Sequence, residues 1–236
     1  MHRKLQLGPW AVGEQPLVVG TICSRDGLIH AAEAPERVCH LVEVRLDLIG
    51  EDFLGWMGYC EELQGVDLPV LLTLRHQDEG GQWAGPSARR LQIIERALPA
   101  ISAFDVEVRQ PDVDGAARIA VEAGKLLVGS YHDFEGTPAA DVLAGWVEDA
   151  CELGVDMVKI ATFVREPDDE ARLHTLLSET AGRVPLCVLA MGSDANAARI
   201  RLVESGSCLT YGYLDQPVAP GQAHARDLWA ALGGQK

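Results

Sequence analysis

Eight short apolar runs recur along this chain roughly 25–30 residues apart, with longer amphipathic stretches between them. No other feature limits the fold so tightly. The runs cover 17–23, 41–49, 69–75, 103–108, 126–134, 156–162, 185–191 and 209–214. Rich in Val, Leu and Ile, they read as strands. The intervening sequence predicts helices over 52–63, 86–98, 113–123, 139–153, 167–180, 196–204 and 223–232, and one starting at Pro35 inside the connection 31–40. Gly124, Gly154, Gly182 and Gly206 stand where helices should stop. Eight strand–helix units in 236 residues fit an α/β chain folded as a (β/α)8 TIM barrel. An open doubly wound sheet is the alternative, but it seldom needs eight regular units and no second domain. No linker-like composition break divides the chain. The expectation is a single barrel domain over 1–236, with 1–16 as an N-terminal extension.

At 47% hydrophobic, the chain can bury a large core. Its 35 acidic against 20 basic residues disfavour a nucleic-acid binder, although a local arginine cluster can still attract a small anion. Six cysteines, Cys23, Cys39, Cys60, Cys151, Cys187 and Cys208, form no CxxC pair, which fits free thiols in a reducing cytoplasm. No apolar stretch reaches the ~18 residues of a membrane span, and the basic start lacks the apolar core of a signal peptide. A cytoplasmic protein is expected. No histidines stand at a convincing metal-ligand spacing, so neither metal nor cofactor is expected.

A barrel gathers its chemistry at the C-terminal ends of its strands. The sixth run carries Lys159 between Val158 and Ile160, which point to the opposite side of a strand. It reads either as a lysine snorkelling to water or as an amine that burial makes nucleophilic. In the second run, period two puts Glu43, Arg45 and Asp47 on one face and Val44, Leu46 and Leu48 on the other. Inward charges of that kind form either a structural ion network or a binding surface. Arg75 ends the third run, below a loop with Glu79, Gly80 and Gly81. It reads as a surface ion pair or as an anion clamp. His132 ends the fifth run, one strand before Lys159, and is the natural proton shuttle. Met191 is most simply core. Arg199 faces solvent on its helix or forms a second clamp at the barrel mouth. Pro220 and Gly221 open a loop placed to act as a lid.

Taken in order, these stretches resemble type I 3-dehydroquinate dehydratase, the Schiff-base lyase of the shikimate pathway. The resemblance runs from about Leu17 to Gln222. It rests on Glu43-Val44-Arg45-Leu46-Asp47, Thr73-Leu74-Arg75 with Glu79-Gly80-Gly81, Ser130-Tyr131-His132-Asp133-Phe134, Val158-Lys159-Ile160-Ala161, Met191 with Arg199, and Gly206-Ser207 leading to Thr210 and Ala219-Pro220-Gly221-Gln222. It implies that Lys159 forms an imine with the ketone of 3-dehydroquinate, that His132 is the general acid and base, and that Glu79 supports proton handling. Thr21, Glu43, Val44, Arg45, Arg75, Arg199 and Gln222 would hold the substrate. A homodimer is implied as well. Three positions depart from the family's pattern: Val218 stands at the usual lid serine, Ala198 at a usual serine and Ala195 at a common glycine. Two other readings stay open, a class I aldolase on the same barrel and a non-catalytic ligand-binding barrel.

Overall fold

The computed structural model describes residues 5–192, 194–219 and 221–234. Eight parallel strands alternate with eight helices in a single round. In chain order they are β1 (Leu17–Ile22), α1 (Arg25–Glu33), β2 (Leu41–Arg45), α2 (Trp56–Gly65), β3 (Val70–Thr73), α3 (Ser87–Ala97), β4 (Ala103–Glu107) and α4 (Val113–Ala123). They continue with β5 (Leu126–Asp133), α5 (Ala140–Glu152), β6 (Met157–Phe163), α6 (Pro167–Glu179), β7 (Leu186–Met191), α7 (Ala195–Glu204), β8 (Leu209–Tyr213) and α8 (Ala225–Ala231). The sheet runs β8-β1-β2-β3-β4-β5-β6-β7, with each successive pair parallel. This is the expected TIM barrel.

Period two sorts each strand into two cores. Outward residues such as Val18, Val44, Leu72, Phe104, Leu127, Val158 and Val188 meet the helices. Inward residues low in the barrel, Leu17, Leu41, Leu71, Ala103, Leu126, Met157 and Leu209, pack on one another. A short antiparallel hairpin, Gln6–Leu7 with Trp10–Ala11, lies beneath them and buries Leu7 in the same cluster. Two to four residues further up, the same inward phase turns polar. It brings Thr21, Glu43, Thr73, Asp105, Ser130 and Lys159 into the buried interior. The apolar floor thus fixes where the polar upper layer sits.

The seam between β7 and β8 is held by one backbone bond and by side chains. Cys208 N donates to Leu186 O at 2.9 Å. Ser207 Oγ accepts from Val188 N at 2.9 Å and donates to the carbonyls of that region. Higher up, Arg199 donates from Nε to Ala190 O (3.0 Å) on β7 and from Nη1 to Tyr211 O (2.9 Å) on β8.

Three expected elements differ. The helix expected over 52–63 begins at Trp56 and runs to Gly65. The first helix lies earlier, over Arg25–Glu33, capped by Ser24, whose side chain accepts from Gly27 N. Pro35 follows its end rather than opening it, the other common place for proline beside a helix. The second strand stops at Arg45, and Leu46–Ile49 form a single helical turn. Asp47 therefore leaves the inward face that period two assigned to it. It instead accepts from Arg45 Nε (2.9 Å) and Nη2 (2.8 Å) and from Gln82 N (3.2 Å). Among the described residues, no helix is long and apolar enough to cross a membrane.

Candidate active site

Lys159 rises from the middle of β6 into the polar layer. Val158 and Ile160 enter the outer core, as their phase requires. The lysine is buried, and its surroundings are not apolar. Nζ lies 3.4 Å from Glu43 Oε1 and 3.3 Å from Asp105 Oδ2, and 4.2 Å from the centre of the Tyr211 ring. Burial is as expected for a nucleophilic amine, but paired charge rather than an apolar wall encloses it.

Both carboxylates are held from elsewhere. Glu43 accepts from Thr21 Oγ1 and Thr73 Oγ1, each at 3.0 Å, on the strands either side of β2. Asp105 accepts from Arg75 Nη2 (2.8 Å) and Ser130 Oγ (2.6 Å). Burial alone would raise both carboxyl pKa values. The charges of Lys159 and Arg45 on Glu43, and of Arg75 and Lys159 on Asp105, overcome it and hold both below the ordinary carboxylate range.

Arg75 sits deeper in this network than a mouth clamp would. Besides Asp105, it donates from Nη1 to Glu107 Oε1 (2.7 Å) and to Ser130 Oγ (2.6 Å). Glu107 in turn pairs with Arg90 of α3, which pairs with Asp112. Ions therefore link the helix layer to Lys159 through β4. The sequence reading placed 103–108 as a strand but missed Asp105 and Glu107. Their signal was present, since both alternate with Phe104, Val106 and Val108 on the polar-topped inward phase.

His132 stands on β5, where Ser130 pairs in register with Lys159 and His132 with Ala161. It is thus one inward position, about 7 Å along the strand, above the lysine. Glu79 Oε2 accepts from His132 N at 2.8 Å and lies 3.0 Å from Nδ1. Burial first, then the nearby Arg75 and Lys159 charges, push the His132 pKa well below its usual value, so the ring is neutral. A neutral ring that donates Nδ1–H to Glu79 Oε2 keeps an Nε2 lone pair free.

Glu79 reaches the ring because its loop folds tightly. Gly80 adopts φ +78° against the Phe134 ring, and a Cβ on Gly81 would lie 1.9 Å from Arg75 O. Only glycine fits the second position.

One pocket is lined by Thr21, Glu43, Arg45, Arg75, Glu79, His132, Lys159, Arg199 and Gln222, nine of the ten candidates. Val44 is the exception: its side chain packs outward against the helices and gives the pocket no group. Leu189, Met191, Phe134 and Tyr211 supply apolar wall. Arg199 is buried and, among the described residues, bonded only to the two seam carbonyls. Burial lowers its pKa to about 10, which leaves it a cation at neutral pH with no carboxylate beside it. Val218, Ala219 and Gln222 roof the pocket, with Val218 N donating to Gln222 Oε1 at 2.9 Å. Pro220 lies outside the described residues. Asp215 fastens the start of this segment to the β1–α1 connection by accepting from Cys23 N (3.1 Å) and Ser24 N (2.8 Å).

Known proteins resemble this chain along nearly its whole length. A family model described as type I 3-dehydroquinase matches residues 17–234. The 3-dehydroquinate dehydratase of Methanocella arvoryzae is 31% identical over 218 residues, covering 92% of this chain and 95% of that protein. The protein of the same name from Methanococcoides burtonii is 30% identical over 232 residues, covering 97% and 98%. In structure, 3-dehydroquinate dehydratase from Geobacillus kaustophilus superposes with a TM-score of 0.88 at 26% identity, covering 98% of this chain and 95% of that one. With a barrel of that shape and a match running almost its whole length, the chain belongs to the type I 3-dehydroquinase family.

Proposed function

We propose that this chain dehydrates 3-dehydroquinate to 3-dehydroshikimate through an imine on Lys159. The observation that carries the reading is the placement of Lys159 Nζ between Glu43 and Asp105, directly below a neutral His132. Lys159 gives one ammonium proton to His132 as its nitrogen adds to the ketone; that proton and a second one from the nitrogen leave with the ketone oxygen as water, giving a protonated imine. That cation occupies the place of the ammonium, so the same two carboxylates neutralise it. The iminium withdraws electrons from the neighbouring carbon, whose proton His132 Nε2 accepts. The electron pair then expels the hydroxyl on the next carbon, which leaves as water with a proton returned by His132. Hydrolysis of the imine consumes one water and frees the amine. The net change is the loss of one water from the substrate.

Arg199, a buried cation without a carboxylate partner among the described residues, is the group best suited to the substrate carboxylate. Thr21, Glu43, Arg45 and Gln222 take the hydroxyls. Arg75, already bonded to two carboxylates and Ser130, chiefly sets the field of the site. We further read 1–236 as a single barrel domain that works as a cytoplasmic homodimer, a state that light scattering measures directly. The six free cysteines fit a reducing compartment.

Product formation can be followed as ultraviolet absorbance of the conjugated enone. The expected outcome is turnover by the wild type, none by Lys159→Ala, and a fall of about 10²–10⁴-fold in kcat for His132→Ala. Turnover unchanged in a folded Lys159→Ala protein contradicts the assignment.

A further inference from the structure

Glu79 has two oxygens, and the acid–base pair uses one. Oε2 serves His132, while Oε1 is buried without a hydrogen-bond partner among the described residues. On that outer side stands Arg109, in the connection after β4, with Nη1 3.9 Å from Glu79 Oε1. Its guanidinium lies over the stacked pair of Tyr131 and Trp146, 5.3 Å and 4.4 Å from the ring centres. Two aromatic faces thus hold a cation behind the carboxylate, outside the substrate pocket.

We propose that Arg109 is a positioning residue for proton transfer, a cation that keeps Glu79 ionised and so holds His132 in the tautomer with Nε2 free. The proposal rests on the lyase reading of the pocket. It concerns the side of the Glu79–His132 pair that faces away from substrate.

The groups facing Glu79 come from four directions. His132 lies on β5, Arg75 at the end of β3, Glu107 on β4 and Arg109 beyond it. On the loop of Glu79 itself, Asp78 turns towards His76. Burial raises the Glu79 carboxyl, Arg75 pulls it back, Glu107 raises it, and Arg109 and the His132 N–H pull it back again, which leaves it at about 7. A carboxyl balanced near neutrality responds to the removal of one adjacent charge. Arg75 is already paired with Asp105 and Glu107, whereas Glu79 is the charged partner of Arg109 among the described residues.

The sign follows. Without the Arg109 charge, Glu79 takes up its proton at higher pH. A protonated Glu79 accepts the Nδ1–H weakly, and His132 loses basicity. The acid limb of the kcat/KM profile therefore moves to higher pH, while the alkaline side stays in place.

The test compares wild type, Arg109→Gln and Arg109→Lys. Each is followed by its pH–rate profile with 3-dehydroquinate and by carboxyl ¹³C NMR of the substrate-free protein, with Glu79 assigned through Glu79→Gln. Expected for Arg109→Gln is an upward shift of about half a pH unit or more in both the acid limb and the Glu79 midpoint. The rate loss is then about threefold or more at pH 6 and vanishes at pH 9. Arg109→Lys keeps the charge and returns both readouts towards wild type. Coincident Glu79 midpoints in wild type and Arg109→Gln overturn the proposal, as does a loss equal at every pH. Absence of turnover in the wild type would instead sink the lyase reading, and the NMR midpoints would still decide the role of Arg109.

Discussion

Asp105 shows how a residue behind the pocket wall governs the residue in front of it. It is fully enclosed and bonded to Arg75 and Ser130, with Lys159 Nζ at 3.3 Å. Its pKa is depressed, so the stabilisation it supplies is present above the unfolded carboxyl value and is lost only as pH falls through the folded one. Across the neutral range that contribution is constant. Asp105→Asn keeps the shape, removes the charge and leaves Arg75 and Lys159 each short of a partner. Breaking a buried pair costs about 3–5 kcal/mol, and urea unfolding at pH 7 should report a loss of that size. A loss below ~1 kcal/mol would show that Glu43 and Glu107 suffice. Sequence alone pointed to Glu43, Arg45 and Lys159 because period two exposes a charge in an apolar strand, and to Arg75 and His132 because they stand at the ends of apolar runs. It did not reveal that Arg75 is spent on Asp105 and Glu107, because those partners lie about 30 residues away and meet it only when neighbouring strands pair.

At the scale of elements, the point that depends most on single side chains is the β7–β8 seam. There Ser207 Oγ substitutes for a strand partner of Val188 N. Ser207→Ala strands that buried amide and is expected to cost about 1–3 kcal/mol, read as a lower urea midpoint with an unchanged slope. A variant as stable as wild type would mean that the seam relaxes around the loss. Arg199 sews the same seam higher up, which couples barrel closure to a buried cation bonded, among the described residues, only to backbone carbonyls. Element boundaries were legible where chemistry marks them. Helix α4 occupies the expected 113–123 because Gly124, at φ +64°, ends it. They were not legible where one residue supports two roles. Pro35 serves equally to open a helix or to follow one, and only the Ser24 cap decides. Likewise, alternation carried past Arg45 assigned Asp47 to the barrel interior, although the chain had already turned helical.

For the molecule as a whole, His40 ties the two ends of the chain together. Its ring lies 4.8 Å from Trp10 of the N-terminal hairpin and 4.6 Å from Trp229 of α8, and its Nδ1 accepts from Val18 N at 2.8 Å. Burial lowers its pKa to about 4. The unfolded chain takes up that proton first, so the stability from a neutral His40 is present above about pH 6.5 and is lost as pH falls towards 4. His40→Asn retains an acceptor for Val18 N without the titration. Its thermal midpoint should fall less between pH 7 and 4.5 than that of the wild type, although Glu79, raised to about 7, acts with the opposite sign in both proteins. Parallel curves would contradict the assignment.

The barrel, its apolar floor and its polar upper layer all converge on one amine, and the account stands or falls on what that amine does. Lys159 is one of four lysines, with Lys4, Lys125 and Lys236, so a modified peptide identifies it without ambiguity. The folded protein treated with 3-dehydroquinate and borohydride, digested and read by mass spectrometry, should carry a reduced substrate adduct on Lys159 and lose activity in proportion. Folded, untruncated protein with no adduct, or with the adduct on another lysine, would contradict it.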